Sequence, residues 1–344
     1  MFPLLLEKLA QHRDLTEGEA GGAMNEIMEG RAEPAQMAGL LVGLAMKGER
    51  PTEIVGLARA MRAHSVPISR LHAGVFDTCG TGGDRAGTFN ISSATALVVA
   101  ACGVRVAKHG NRSVSSKSGS ADVFEALGVR VTAPPSTVEH CLDEVGIGFF
   151  FAPTFHPAMR HAAQTRRDLG IRTAFNLLGP LTNPAGAVRQ LVGVPRPEYT
   201  ELLARSLQLL GSERAWVVHG ADGIDEISTC GHTKVSECRA GAVSTFYLHP
   251  GDVGLKKAVP EALKGDTALE NARIIARVLD GNRGPARDVV LFNAGAALFI
   301  ADEASSIEDG IARAGEAIDS GRARATLDAL VRASTAERAE GQGA

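Results

Sequence analysis

From Val75 onward the chain alternates short β-rich runs with helical stretches, and this alternation restricts the fold more than any other feature of the sequence. Residues 75–79 read as a strand, 92–102 as a helix closed by Gly103, and 104–107 as a second strand. Ser120 is placed to cap a helix ending at Gly128, and 129–131 is again strand-like. Ser136 with Glu139 reads as a capping box for a helix ending at Gly146, followed by a strand at 147–151. Beyond lie a helix at about 197–210, a strand at 215–219, a hairpin at 232–248, and helices at about 267–279, 286–301, 306–320 and 323–333. Parallel neighbours need long crossovers, so strands alternating with helices imply an α/β fold: a mainly parallel central sheet with helices on both faces. Ligand loops gather at the carboxyl ends of such strands.

Residues 1 to about 70 carry no strand signal and read as successive helices. Thr16 with Glu19 forms a capping box, Pro34 suits a first helical position, and Met37, Leu40, Leu41 and Leu44 follow at helical spacing. Another helix begins at Thr52, with Ile54, Leu57 and Met61 on one face. The stretch 170–190, with its prolines and asparagines, breaks the later alternation and is a candidate to return to this helical unit. The last ten residues, polar and rich in Ala, Glu and Gly, are expected to fray. A formal net charge of −3 gives no global basic field for nucleic acid, so any anion site must be local. Five cysteines, odd in number and without a C-x-x-C pair, argue against a disulfide framework or a zinc site. No basic leader and no long uncharged apolar run is present, and the expectation is a soluble, cytoplasmic protein without membrane partners.

Two clusters flank the helical run 92–102. The first, Gly80-Thr-Gly-Gly-Asp84, follows a strand but fits neither the P-loop nor the G-x-G-x-x-G pattern. Asn90, Ser92 and Ser93 add small polar side chains at the next helix N-terminus, where free N–H groups favour an anion. Ser92 caps that helix, serves a ligand, or does both. In the second cluster Lys108, Arg112 and Lys117 are mixed with Ser113, Ser115, Ser116, Ser118 and Ser120 directly after a buried-type strand. A solvated basic face would not carry that glycine and serine content, so the pattern points to phosphate binding.

Asp225-Glu226 lies just after the strand 215–219. Adjacent carboxylates in a loop are either a solvated acidic turn or hard oxygen ligands for Mg²⁺, which commonly bridges to substrate phosphates. Arg166-Arg167 near a helix end either complements the helix dipole or holds a carboxylate in a bidentate grip. No Ser/His/Asp or Cys/His constellation follows from spacing, and His109, His156 and His219 each read first as structural.

Taken together, these stretches resemble the anthranilate phosphoribosyltransferases. The matching segments are 80–84, 90–93, 108–116, 155–159, 166–184 and 222–228, in that family's order and spacing, and the run Lys108-His-Gly-Asn-Arg-Ser-Val-Ser-Ser116 is highly specific. The resemblance implies a small N-terminal helical domain (1–72, with the returning segment near 170–190) hinged to a large α/β domain (73–344). It also implies a homodimer formed through the helical domain, with phosphoribosyl pyrophosphate (PRPP), Mg²⁺ and anthranilate as ligands. Gly80, Gly83, Asp84, Thr88, Asn90, Ile91, Ser92 and Ser93 would contact PRPP, and Lys108, His109, Gly110, Asn111, Arg112, Ser113, Val114, Ser115, Ser116 and Ser120 would cradle its phosphates. Ser92, Asp225 and Glu226 would bind Mg²⁺, and Gly80, Asn111 and Arg166 would hold anthranilate. One departure is visible: the family commonly has Asn-x-Ser-Thr, whereas Ser93 closes the motif here and loses the methyl but not the hydroxyl. A pyrimidine nucleoside phosphorylase would want a different Lys-x-Ser signature. A nucleic-acid-binding paralogue would have lost the acidic motifs and gained basic charge. Neither pattern is present.

Overall fold

A computed structural model describes residues 1–70, 72–84, 86–113 and 117–336. Four helices open the chain: Phe2–Ala10, Glu17–Met28, Pro34–Lys47 and Pro51–Ala63. Thr16 accepts from the Glu19 N–H while the Glu19 carboxylate accepts from the Thr16 N–H, the reciprocal box expected from sequence. Prolines occupy the first helical position of the third and fourth helices, so the fourth starts at Pro51 rather than Thr52.

The sheet has seven strands: β1 (Phe76–Gly80), β2 (Val106–Gly110), β3 (Ile147–Phe151), β4 (Arg189–Gly193), β5 (Arg214–Gly220), β6 (Thr233–Arg239) and β7 (Ala242–Leu248). Their spatial order is β3-β2-β1-β4-β5-β6-β7, parallel from β3 through β5 and antiparallel over β5-β6-β7. β6 and β7 are the predicted hairpin, joined at Ala240 and Gly241, both with positive φ.

Side chains alternate across a strand, and β5 shows how this divides the interior. Trp216 and Val218 join Val98, Phe124, Ile275 and Phe292 in a core under the helices Ile91–Ala101, Ser120–Ala126, Ala268–Leu279 and Pro285–Ile300. Ala215 and Val217 point the other way, into a core shared by the four N-terminal helices, the helix Glu198–Leu209 and the segment around Phe175–Leu181. The stretch 170–190 therefore packs against the helical unit while its ends remain tied to the sheet.

Three local expectations fail for identifiable reasons. Residues 129–131 alternate in burial but form no strand. The Val129 N–H closes the preceding helix on Phe124, and the Arg130 N–H goes to the Ser334 hydroxyl, leaving no ladder. Ser136 caps nothing, because Pro135 starts its helix, and Glu139 instead accepts from the N–H and hydroxyl of Ser69 in the linker after the helical unit. Ser120 is the first residue of its helix rather than the cap, which is Gly119. Residues 337–344 of the expected fraying tail lie outside the described residues.

Candidate active site

The carboxyl ends of β1, β2 and β5 converge on two adjoining cavities, of about 340 and 440 Å³. Gly80, His109, Gly110 and Asn111 line both.

The smaller cavity is the polar one. Gly80, Gly83, Asp84, Thr88, Asn90, Ile91, Ser92, Lys108, Arg112, Ser113, Ser120, Asp225 and Glu226 reach its wall together. Asp225 and Glu226 lie far from the first cluster in sequence but are tied to it by backbone donors. The Gly82 N–H donates to Asp225 (3.2 Å) and the Ser92 N–H to Glu226 (3.1 Å). Gly193, at the end of β4, makes this approach possible: a Cβ there would overlap the Asp225 carbonyl. Glycine is required by contact, not by turn geometry.

The electrostatics of this group are unfavourable as it stands. Burial, then repulsion from Asp84, pushes Asp225 up to about 7. Burial, then Asp225, pushes Glu226 well above the usual carboxylate range, and burial also raises Asp84. None of the three has a basic side chain within ion-pair distance among the described residues. A cation beside the Asp225–Glu226 pair would offset both the cost of burying their charge and the repulsion between them. Among the described residues, no three His, Cys, Asp or Glu side chains gather closely enough to form a complete metal cage. That donor set suits Mg²⁺, which takes one or two carboxylates and completes its shell with water and phosphate oxygens.

The second cluster is held from behind. Lys108 is almost fully buried, and its ammonium donates to the His109 carbonyl (3.3 Å). Asp77, on β1, accepts from the His109 N–H (3.2 Å) and from the Asn183 amide (2.8 Å), which also donates to the Ala107 carbonyl. The Ser120 hydroxyl accepts from the Asn111 N–H (3.2 Å) and so shapes the loop rather than the helix end. Arg112 is paired with Asp122 and Glu125, so its guanidinium faces the helix that follows. Ser93 is fully buried behind the cleft wall with an unpaired hydroxyl. Val114, Ser115 and Ser116 lie outside the described residues.

The larger cavity is mostly apolar, with Met61, Pro153, Met159, Phe175 and Pro180 in its wall. Arg166 lies in that wall with its guanidinium 5.1 Å from the Phe175 ring centre. It has no carboxylate partner among the described residues, and burial lowers its affinity for the proton. Arg167, by contrast, turns to Gln164 (2.6 Å). Of the two readings of this arginine pair, cavity geometry favours the carboxylate grip for Arg166. His109 and His156 pack with ring centres 5.3 Å apart in the same cavity. Burial drives His109 down to about 3 and His156 to about 4, so both imidazoles are neutral near pH 7.

Sequence reasoning missed the supporting residues Asp77, Asn183 and Asn271. Asn271 donates to the Asn90 side-chain carbonyl (2.9 Å) and accepts from the Asp266 N–H (2.8 Å). The partners that tie them to the two clusters are far away in sequence, and Asn183 followed by Pro184 reads locally as a turn. No spacing rule points to them.

Known proteins bear on this arrangement. Residues 72–324 match the family described as "Glycosyl transferase family, a/b domain", and residues 3–65 match its "helical bundle domain". The anthranilate phosphoribosyltransferase of Moorella thermoacetica is 54% identical over 96% of this chain and 98% of its own length. Among solved structures, the anthranilate phosphoribosyltransferase of Thermus thermophilus superposes with a TM-score of 0.91 at 46% identity, covering 96% of this chain and 99% of that one. The Saccharomyces cerevisiae enzyme in complex with PRPP and Mg gives a TM-score of 0.88 at 28% identity, covering 97% of this chain and 98% of that one. The same yeast enzyme has been solved with 4-fluoroanthranilate (TM-score 0.86, 26% identity, 97% and 99% coverage). With these matches spanning both the helical and the α/β parts, the chain belongs to the anthranilate phosphoribosyltransferase family.

Proposed function

We propose that this chain transfers the phosphoribosyl group of PRPP to the amine of anthranilate, releasing pyrophosphate and N-(5-phosphoribosyl)anthranilate, the second step of tryptophan biosynthesis. The observation that carries the reading is the pair of cavities sharing the wall of Gly80, Gly110 and Asn111: one polar and acidic, one apolar with a desolvated arginine. PRPP fits the first, through Gly80, Gly83, Asp84, Thr88 and Asn90–Ser92, with residues 108–113 and Ser120 around its phosphates. Anthranilate fits the second, its ring among apolar groups and its carboxylate on Arg166, with its amine directed to the shared wall beside Asn111 and Gly80.

Asp225 and Glu226, with Ser92, would hold Mg²⁺, whose charge would offset that developing on the departing pyrophosphate. The bond from ribose C1 to the pyrophosphate oxygen breaks with its electron pair on that oxygen, the amine lone pair forms the new C1–N bond, and the amine proton then passes to the released pyrophosphate or to solvent. An aromatic amine is neutral near pH 7 and already has its lone pair free, so no strong base is needed. His109, with a pKa of about 3, would be a poor one. Catalysis rests on positioning and preorganised charge. The apolar wall would also limit water, which would otherwise capture the oxocarbenium-like centre.

With PRPP and Mg²⁺, the purified protein is expected to consume anthranilate, followed as loss of its fluorescence, and EDTA is expected to stop the reaction. Turnover of orotate, or of a nucleoside with phosphate, in place of anthranilate would overturn the reading.

The chain would act as two units, 1–72 with the segment near 170–190 and 73–344, working as a cytoplasmic homodimer. Exposed Leu4 (68%) and Met46 (74%) on the first and third helices support an interface on the helical unit. Leu4→Asp combined with Met46→Asp is expected to give a monomer in sedimentation velocity, and a dimer unchanged by both substitutions would place the interface elsewhere. Among the described residues, no helix is long and apolar enough to cross a membrane.

A further inference from the structure

Arg172 lies on the wall of the polar cavity and has no place in the account above. It precedes Thr173, whose N–H is fixed on the Asn176 side chain (2.9 Å), and Ala174 and Phe175, which are buried in the core shared with the N-terminal helices. The arginine therefore extends from the segment packed against the helical unit across to the first glycine loop of the sheet. There its guanidinium donates to the Thr81 carbonyl (3.2 Å) and lies over Gly83, where a Cβ would overlap it. Gly83 also has φ +82°, a backbone conformation that disfavours any side chain there, and a Cβ would push the guanidinium off the loop.

A guanidinium has five N–H donors, and one of these is committed to Thr81. Burial lowers its affinity for the proton, an effect that Asp225 and Asp84 oppose, and no carboxylate lies within ion-pair distance of it among the described residues. The half-buried cation thus stands beside the acidic group, on the same glycine loop, with donors left for a further anion. The acidic group suits a divalent cation, and a cation there draws in phosphate oxygens. A pyrophosphate, with oxygens on two linked phosphorus atoms, has both the charge and the reach to meet that cation and a neighbouring guanidinium.

From this geometry we propose that Arg172 binds the pyrophosphate group of PRPP, gripping the leaving group from the glycine loop beside the acidic pair. The inference rests on the PRPP reading of the cavity. In the reaction Arg172 forms and breaks no covalent bond. It donates hydrogen bonds to oxygens that gain negative charge as the C1–O bond breaks, so its contacts strengthen towards the transition state. Because it is carried by the segment packed on the helical unit, it also makes pyrophosphate binding sensitive to how that unit sits against the sheet.

The test uses the full chain and its Arg172→Met and Arg172→Lys variants. Inorganic pyrophosphate with Mg²⁺, and separately ribose 5-phosphate, are titrated calorimetrically, and KM for PRPP and for anthranilate is measured. For Arg172→Met, pyrophosphate affinity and KM for PRPP are expected to worsen about tenfold or more, with ribose 5-phosphate affinity and KM for anthranilate unchanged. Arg172→Lys should fall between, since a point charge replaces a fork. Unchanged pyrophosphate affinity in Arg172→Met would overturn the inference. So would an equal loss for pyrophosphate and ribose 5-phosphate, or an equal drop in melting temperature in both variants, since either would make the arginine a tie for the loop alone. Turnover by the parent protein is measured alongside: its absence would count against the PRPP reading, whereas the pyrophosphate titration decides Arg172 by itself.

Discussion

Asp225→Ala combined with Glu226→Ala is expected to lower kcat/KM by about 10³-fold or more, because charge stabilisation by a metal at the leaving group supplies several kcal/mol of the barrier reduction. The same change should leave the melting temperature unchanged or raised. In the metal-free protein burial raises the cost of charge on Asp225, Glu226 and Asp84, and repulsion from a neighbouring carboxylate adds to it for Asp225 and Glu226. Removing two of them relieves that cost, and this outweighs the loss of the acceptors for the Gly82 and Ser92 N–H groups. Scanning calorimetry without Mg²⁺ and steady-state fluorescence with it would separate the two effects. A double variant that keeps more than about a tenth of the parental kcat/KM at saturating Mg²⁺ would remove this pair from the mechanism.

The second large effect concerns the acceptor. Arg166→Ala should raise KM for anthranilate by roughly thirtyfold, the loss associated with a desolvated guanidinium–carboxylate pair of about 2 kcal/mol, and leave KM for PRPP within about twofold. Stability should change little. The cation has no protein counter-charge to lose, and burial already disfavours its charged form. Only its contact with the Phe175 ring is forfeited. An unchanged KM for both substrates would show that the apolar cavity does not hold the acceptor through Arg166.

Most of the architecture was readable because it depends on local patterns that the long-range packing reinforces. The Thr16–Glu19 box, the prolines at helix starts and the β-rich runs each agree with their neighbours. The run 129–131 misled because alternating burial is necessary for a strand but not sufficient: its N–H groups were claimed by Phe124 and Ser334 before any strand could pair with it. Glu139 misled because a carboxylate that could cap its own helix found a distant donor in Ser69. At the site, the glycine loops and the acidic pair announced themselves through composition. Arg166 did not, since a basic residue near a helix end has an ordinary use, and only the cavity distinguishes it from Arg167. Asp77, Asn183 and Asn271 were invisible, being defined by contacts across more than one strand or helix.

The two cavities differ in what they are made of. The polar one is bounded by the ends of β1, β2 and β5, where a changed side chain disturbs the hydrogen-bonded ladder and the close approach at Gly193. The apolar one takes most of its wall from connecting segments, 152–166 and 175–180, which can vary without disturbing that ladder. Amine selectivity should therefore be the adaptable half of the enzyme. Libraries confined to Met159, Ala163 and Pro180 are the natural place to seek acceptance of enlarged or substituted aromatic amines, with donor chemistry left as it is.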